Sequence, residues 1–126
     1  GIKMAVMQSR DTRTHVAGED LSAAQFKFVT LEADGQIDLA DSAGERALGV
    51  LLNKPTAGAA ATVAMTGKVM VEAGASVTAG DQLQTDAAGD AITAASGDVV
   101  MGYALEDAVD GQIFAMELIQ GGNVVA

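Results

Sequence analysis

The chain has 126 residues, enough for one domain or two very small ones. It has no Cys, which excludes a disulfide- or thiolate-supported scaffold and fits an intracellular or virion protein better than a small secreted one. Its net charge of −10 disfavours nucleic acid, whose phosphates require clustered Lys or Arg, and no run of 18 apolar residues predicts a membrane helix. No signal peptide is read at its start. The charge is unevenly spread. All seven Lys and Arg lie in residues 1–68, which carry a net −1, whereas residues 69–126 carry nine acids and no base. Aromatic residues are only 3% of the chain, so Val, Leu, Ile, Met and Ala must build the core, with Phe26, Phe28, Phe114 and Tyr103 as its large pieces.

In chain order, residues 1–16 read as an extended arm. An apolar run with Ile2, Met4, Val6 and Met7 precedes a polar stretch holding Arg10, Arg13 and His15. Such an arm either adds to a neighbour's sheet edge or forms the first strand of its own domain. Val16 to Ala24 reads as a loop, with one helical turn at Ser22 to Gln25. Phe26 to Glu32 is rich in aromatic and β-branched residues and predicts a strand, turned by Asp34-Gly35 into a second strand at Gln36 to Leu39. Leu48 to Leu52 predicts a buried strand. Gly49 inside it marks a bulge or a close backbone approach, a feature that Gly102 repeats. Thr62 to Val71 reads as one long strand bent at Gly67, with Val63, Met65, Val69 and Val71 on one face. Short strands follow at Gln82 to Thr85, Ala91 to Ala94 and Val99 to Leu105. A last one at Gln112 to Ile119 aligns Phe114, Met116 and Leu118. Residues 121–126 read as a tail.

The stretch from Ala17 to Leu51 matches the stretch from Ala73 to Leu105. Ala17-Gly18 matches Ala73-Gly74, Asp34-Gly35 with Ile37 matches Ala88-Gly89 with Ile92, and Leu48-Gly49-Val50 matches Met101-Gly102-Tyr103. The offset drifts from 56 to 53 and stays near 53 as Gly58 pairs with Gly111 and Val63 with Met116. The chain therefore reads as a duplicated unit. The prediction is an all-β fold, a small β-barrel or jelly-roll-like sandwich of two related halves of about 55 residues that share one core. The domain layout is an arm over 1–16, a single β-domain over 17–120 with repeats at about 17–66 and 73–119, and a tail over 121–126. No stretch keeps a helical period, so crossover helices and a parallel sheet are not expected.

Nothing in the chain has the pattern of an active site. His15 is the only His, and no G-x-S-x-G elbow surrounds any Ser. Gly67-Lys68 lacks the earlier Gly and the following Ser or Thr of a phosphate loop. The acids at Glu106, Asp107 and Asp110, and at Asp38 and Asp41, lack the alternating spacing of a calcium loop and read as turn residues. No catalytic residue, metal ligand or cofactor is expected.

The order and spacing of these pieces resemble the bacteriophage capsid cement, or head decoration, proteins. The pieces are Ala17 to Ala24, Asp34-Gly35, Leu48 to Pro55, Gly58 to Val63, Val71 to Asp81 and Met101 to Glu106, and the resemblance covers about 17–119. It implies a small non-enzymatic all-β protein on the capsid exterior of a tailed phage. Such a protein is assembled in the host cytoplasm, binds the major capsid protein, and associates with itself as a dimer or trimer, with no nucleic-acid or membrane partner. Under this reading the capsid and oligomer interface is expected at Ile2, Met4, Val6, Met7, Arg10, Arg13, Arg46 and Lys54, where the apolar arm and the bases lie. Two other classes stay open: a carbohydrate-binding module or small β-barrel enzyme, and a lipoyl- or biotinyl-type carrier domain. The carrier needs a Lys at a hairpin tip, whereas Lys54 lies in N-K-P and Lys68 within a predicted strand.

Overall fold

The computed structural model describes residues 11–120, 124 and 125. Among them, ten strands and no helix form two five-stranded antiparallel sheets. The first sheet contains β1 (Thr12–Val16), β2 (Phe28–Leu31), β3 (Ile37–Leu39), β4 (Gly49–Leu51) and β5 (Ala60–Ala64), in the order β1-β5-β4-β2-β3. The second contains β6 (Gly67–Glu72), β7 (Gln82–Thr85), β8 (Ala91–Thr93), β9 (Gly102–Ala104) and β10 (Ile113–Leu118), in the order β6-β10-β9-β7-β8. Each strand of the first sheet has its counterpart five strands later, in the same place. This is the two-half all-β sandwich that the sequence predicts.

The duplication extends to single hydrogen bonds. The Ala17 N–H donates to the Ala59 carbonyl, and the Ala73 N–H to that of Gln112, both at 2.9 Å. The Leu21 N–H meets the Pro55 carbonyl as the Val77 N–H meets that of Ala108. Ala17 bridges Ile37 in parallel, and Ala73 bridges Ala91. Ile37 is therefore equivalent to Ala91, one residue from the sequence match with Ile92. The reason is side-chain parity: Ile37 and Ala91 point into the core, while Ile92 points the other way and is half-buried.

Three further sequence expectations are corrected. Thr62 to Val71 is not one strand. The chain leaves the first sheet after Ala64 and enters the second at Gly67, whose φ of +98° takes a conformation that glycine adopts without a Cβ penalty. Phe26 does not begin a strand. It has φ +67°, and β2 starts two residues later. Its N–H donates to the Leu51 carbonyl and its own carbonyl accepts from Glu72, so bonds to both halves hold this left-handed turn. Tyr103 is not a core residue. In β9 the neighbours Gly102 and Ala104 face inward, so alternation turns Tyr103 outward.

The inner strands of the first sheet are buried on both faces. On one, Val29, Ile37, Leu51 and Val63 pack beneath Leu21 and Ala24. On the other, Phe28, Ala40, Val50 and Ala64 join Val71, Leu83, Phe114 and Met116 of the second half in one core. Each such side chain contributes about 1.5–3 kcal/mol when removed from water. The halves therefore share a core, as units of this size must.

Candidate interaction surface

The predicted interface residues are distributed as follows. Ile2, Met4, Val6, Met7 and Arg10 lie outside the described residues. Arg13 lies on β1, the edge strand that runs beside β5 of its own chain. Its guanidinium donates to Asp11 at 3.1 Å, and both side chains are at least half exposed, so this pair contributes only about 0–1 kcal/mol. Arg46 is exposed in the loop before β4 and lines a shallow groove with Leu31, Leu48 and Gln120. Lys54 is exposed after β4, beside the buried Pro55. Arg46 and Lys54 thus flank opposite ends of β4. His15, half-buried on β1, lies opposite Ala61.

A base outside the predicted set, Lys27, has a well-defined role. Its ammonium donates to Asp90 at 2.5 Å and to Glu72 at 3.2 Å, and all three side chains are largely buried. These bonds tie the first half to the second. Burial opposes the charge on Lys27, but its bonds and attraction to Asp90, then to Glu72, outweigh this and hold its pKa above the ordinary value. Burial also pushes the Asp90 carboxyl up, against the pull of Lys27. Three residues distant in sequence have no pattern that announces such a triad.

Acids gather at the other side of the first half. Burial, then the neighbouring carboxylates of Glu19, Glu32, Asp34 and Asp41, raise the Asp38 carboxyl above its ordinary range. One Asp38 carboxylate oxygen is buried with no hydrogen-bond partner. Among the described residues no group of three or more His, Cys, Asp or Glu is arranged to hold a metal ion. Of the acids read as turn residues, Glu106 accepts from the Ala115 N–H and Asp107 from the Ala79 N–H, whereas Asp38 lies within β3 and not in a turn.

One set of exposed apolar residues follows the duplication. Met70, Tyr103 and Ile113 share the outer face of the second sheet. Met70 is opposite Ala115 on β10, and Tyr103 is opposite Glu117 of the same strand, two residues further on. In the first sheet the equivalent of Tyr103 is Val50, fully buried beneath the second half. The first sheet exposes Val16 on β1 and Leu31 on β2. Alternation alone would have turned Tyr103 outward in the sequence, had Gly102 and Ala104 been taken as the inward pair.

Comparison with curated proteins yields no match. Among solved structures, the N base of head fiber gp8.5 in bacteriophage phi29 is similar, with a TM-score of 0.69 and 23% sequence identity, covering 86% of this chain and 93% of that one. At that identity the likeness establishes the fold alone. Residues 7–117 match the family model of phage cement proteins, which spans nearly the whole duplicated β unit. The chain belongs to the phage cement protein family and is a structural component of a phage virion.

Proposed function

We propose that this protein binds the outside of a phage capsid and cements contacts between subunits of the major capsid protein, acting as a dimer or trimer and without catalysis. The observation that carries this reading is the family match over residues 7–117. The chemistry agrees. A rigid body that binds the assembled lattice and not its separated subunits stabilises the lattice by mass action. Several weak contacts in an oligomer add up to avid binding. The capsid-facing residues, and part of the subunit-joining surface, are the arm, with Ile2, Met4, Val6, Met7 and Arg10, together with Arg13, Arg46 and Lys54, while the acidic second half faces solvent or a neighbouring subunit. The body is a single β-domain that begins with β1 at Thr12 and runs to 120, and the protein joins capsids in the host cytoplasm before ending on the virion exterior.

The test is addition of purified protein to mature capsids that lack it. Saturable binding at a fixed ratio to the major capsid protein, with extra density outside the shell by electron cryomicroscopy, is the expected result. Absence of binding at saturating concentration overturns the proposal.

A further inference from the structure

The two halves touch through different surfaces, and each half leaves one of those surfaces unused. The first half offers Lys27, Phe28, Leu39 and Gly44. The second half offers the Asp86–Asp90 turn, Thr85 and Glu72. The Phe28 N–H donates to the Gly89 carbonyl at 2.7 Å, and the Gly44 N–H to that of Thr85 at 2.9 Å. A Cβ added to Gly89 would strike Leu39, Phe28 and Lys27, so this turn is pressed against the first half. The equivalent turn of the first half has open space around Gly35. A pair of identical surfaces related by a two-fold axis would leave neither side free. This contact is head-to-tail, and such contacts repeat until they close into a ring or run on as a filament.

The unused copies have the composition of an interface. On the first half, the equivalents of Glu72 and Thr85 are Val16 and Leu31, which are 44% and 51% exposed. The equivalents of the buried Met101 and Leu118 are Leu48 and Met65, both only partly buried. On the second half, the equivalents of buried Phe28 and Val50 are Gln82 and Tyr103, both exposed, with Tyr103 43% open to solvent. The charges have changed together. Lys27 faces Asp90 inside the chain. Their equivalents are Asp81 and Gln36, so the carboxylate is replaced by an amide at the place where the lysine is replaced by an acid. An Asp retained at position 36 would have repelled Asp81. Arg46 also lies on the first half, opposite a second half that holds nine acids and one base, Lys68 on β6.

We infer that a second copy of this chain docks head-to-tail on the outer face of the second sheet, around Tyr103 and Asp81. It does so through the free side of its own first half, around Leu31 and Gln36, and thereby repeats between chains the contact that joins the halves within one. In a single chain the Gly97 N–H, equivalent to that of Gly44, is met by the Val125 carbonyl of the chain's own tail. The outer face of the second sheet, and the first half around Val16 and Leu31, are left open. This assignment rests on the proposed self-association and gives it a geometry.

The chain has no Cys, so single-cysteine variants report contacts cleanly. Gln36→Cys protein is mixed with Asp81→Cys protein and treated with a short bismaleimide, and the products are identified by mass. Thr93→Cys, at the exposed equivalent of Leu39, whose hydroxyl donates to Asp81, replaces Asp81→Cys if the latter does not fold. The expected product is a Gln36→Cys to Asp81→Cys cross-link between chains, with cross-linked pairs of identical variants in the minority. Tyr103→Glu should in addition weaken self-association at least about tenfold, as loss of a central interface aromatic does. If the wild type oligomerises but the mixture yields only same-variant products or none, this geometry is wrong and self-association stands. If the wild type remains monomeric at high concentration, self-association itself falls and the geometry with it.

Discussion

Gly49 and Gly102 occupy the same place in the two sheets, each opening an inner strand directly beneath a backbone carbonyl of the next strand. The carbonyls belong to Ala64 and Glu117, and a Cβ built on either glycine would fall well inside contact distance of that oxygen. Both pairs are separated by the same 53 residues. The sequence expectation of a close backbone approach at these glycines is realised twice by one mechanism.

Substituting Ala at either position must push a central strand away from its neighbour. Gly49→Ala and Gly102→Ala should each lower unfolding stability by about 3 kcal/mol, at the upper end of overpacking costs. Chemical denaturation measures this directly. Comparable losses are expected, and a neutral outcome at one position would show that the two sheets do not share this constraint.

Lys27 joins the halves through two carboxylates that the fold largely removes from water. Lys27→Met keeps the aliphatic stem but leaves Asp90 and Glu72 facing each other without a cation. The expected loss is about 1–2 kcal/mol, between the values for exposed and fully buried pairs. The raised pKa of Lys27 means that, while Asp90 stays ionised, the ion pair contributes fully below the ordinary 10.5 and at the alkaline end is lost only as pH rises through the higher folded value. Denaturation of wild type and variant at neutral and strongly alkaline pH should therefore give a gap that closes in alkali. A gap unchanged by alkali would point to packing instead.

Asp38 carries its charge at a cost. Its carboxyl is raised in the folded state by burial and by four neighbouring acids, so the folded protein takes up a proton there more readily than the unfolded chain. The stabilisation from that proton is full below the ordinary value of 3.8 and is lost as pH rises through the folded value. Asp38→Asn should therefore raise the melting temperature modestly at neutral pH and have no such effect at pH values below that of a free carboxyl. A melting temperature lowered by the substitution at neutral pH would contradict this.

The arm can be tested apart from the fold. Thr12–Val16 is a strand of the first sheet, so the truncation that isolates the arm removes residues 1–10 and stops short of β1. The shortened protein should keep its far-ultraviolet dichroism and melt within a few degrees of the intact chain, since β1 and both cores remain. It should bind capsids or its own copies more weakly. Undiminished binding would remove Ile2 to Arg10 from the interface.

Much of this fold is legible in the sequence because turns and glycines carry it. Asp34-Gly35, Gly49 and Gly102 are backbone requirements, and they recur at near-constant spacing. What the sequence does not reveal arises where side chains meet across the chain. Lys27 finds Asp90 and Glu72 only after the halves fold together. Phe26 takes a left-handed turn against its propensity, while the equivalent residue in the second half is Gly80, for which φ +91° costs little. Tyr103 reads as a core aromatic because only the alternation around Gly102 and Ala104, and not its type, decides its direction. The expected interface residues Arg13, Arg46 and Lys54 are all exposed, but their joint surface depends on a partner that a single chain does not display.

The central claim is that this protein strengthens the shell it decorates. The most direct measurement is the temperature at which DNA-filled capsids open, followed by dye access to the packaged DNA, with and without saturating protein. The account predicts a higher opening temperature that rises with occupancy. An opening temperature unchanged on fully decorated capsids would contradict it.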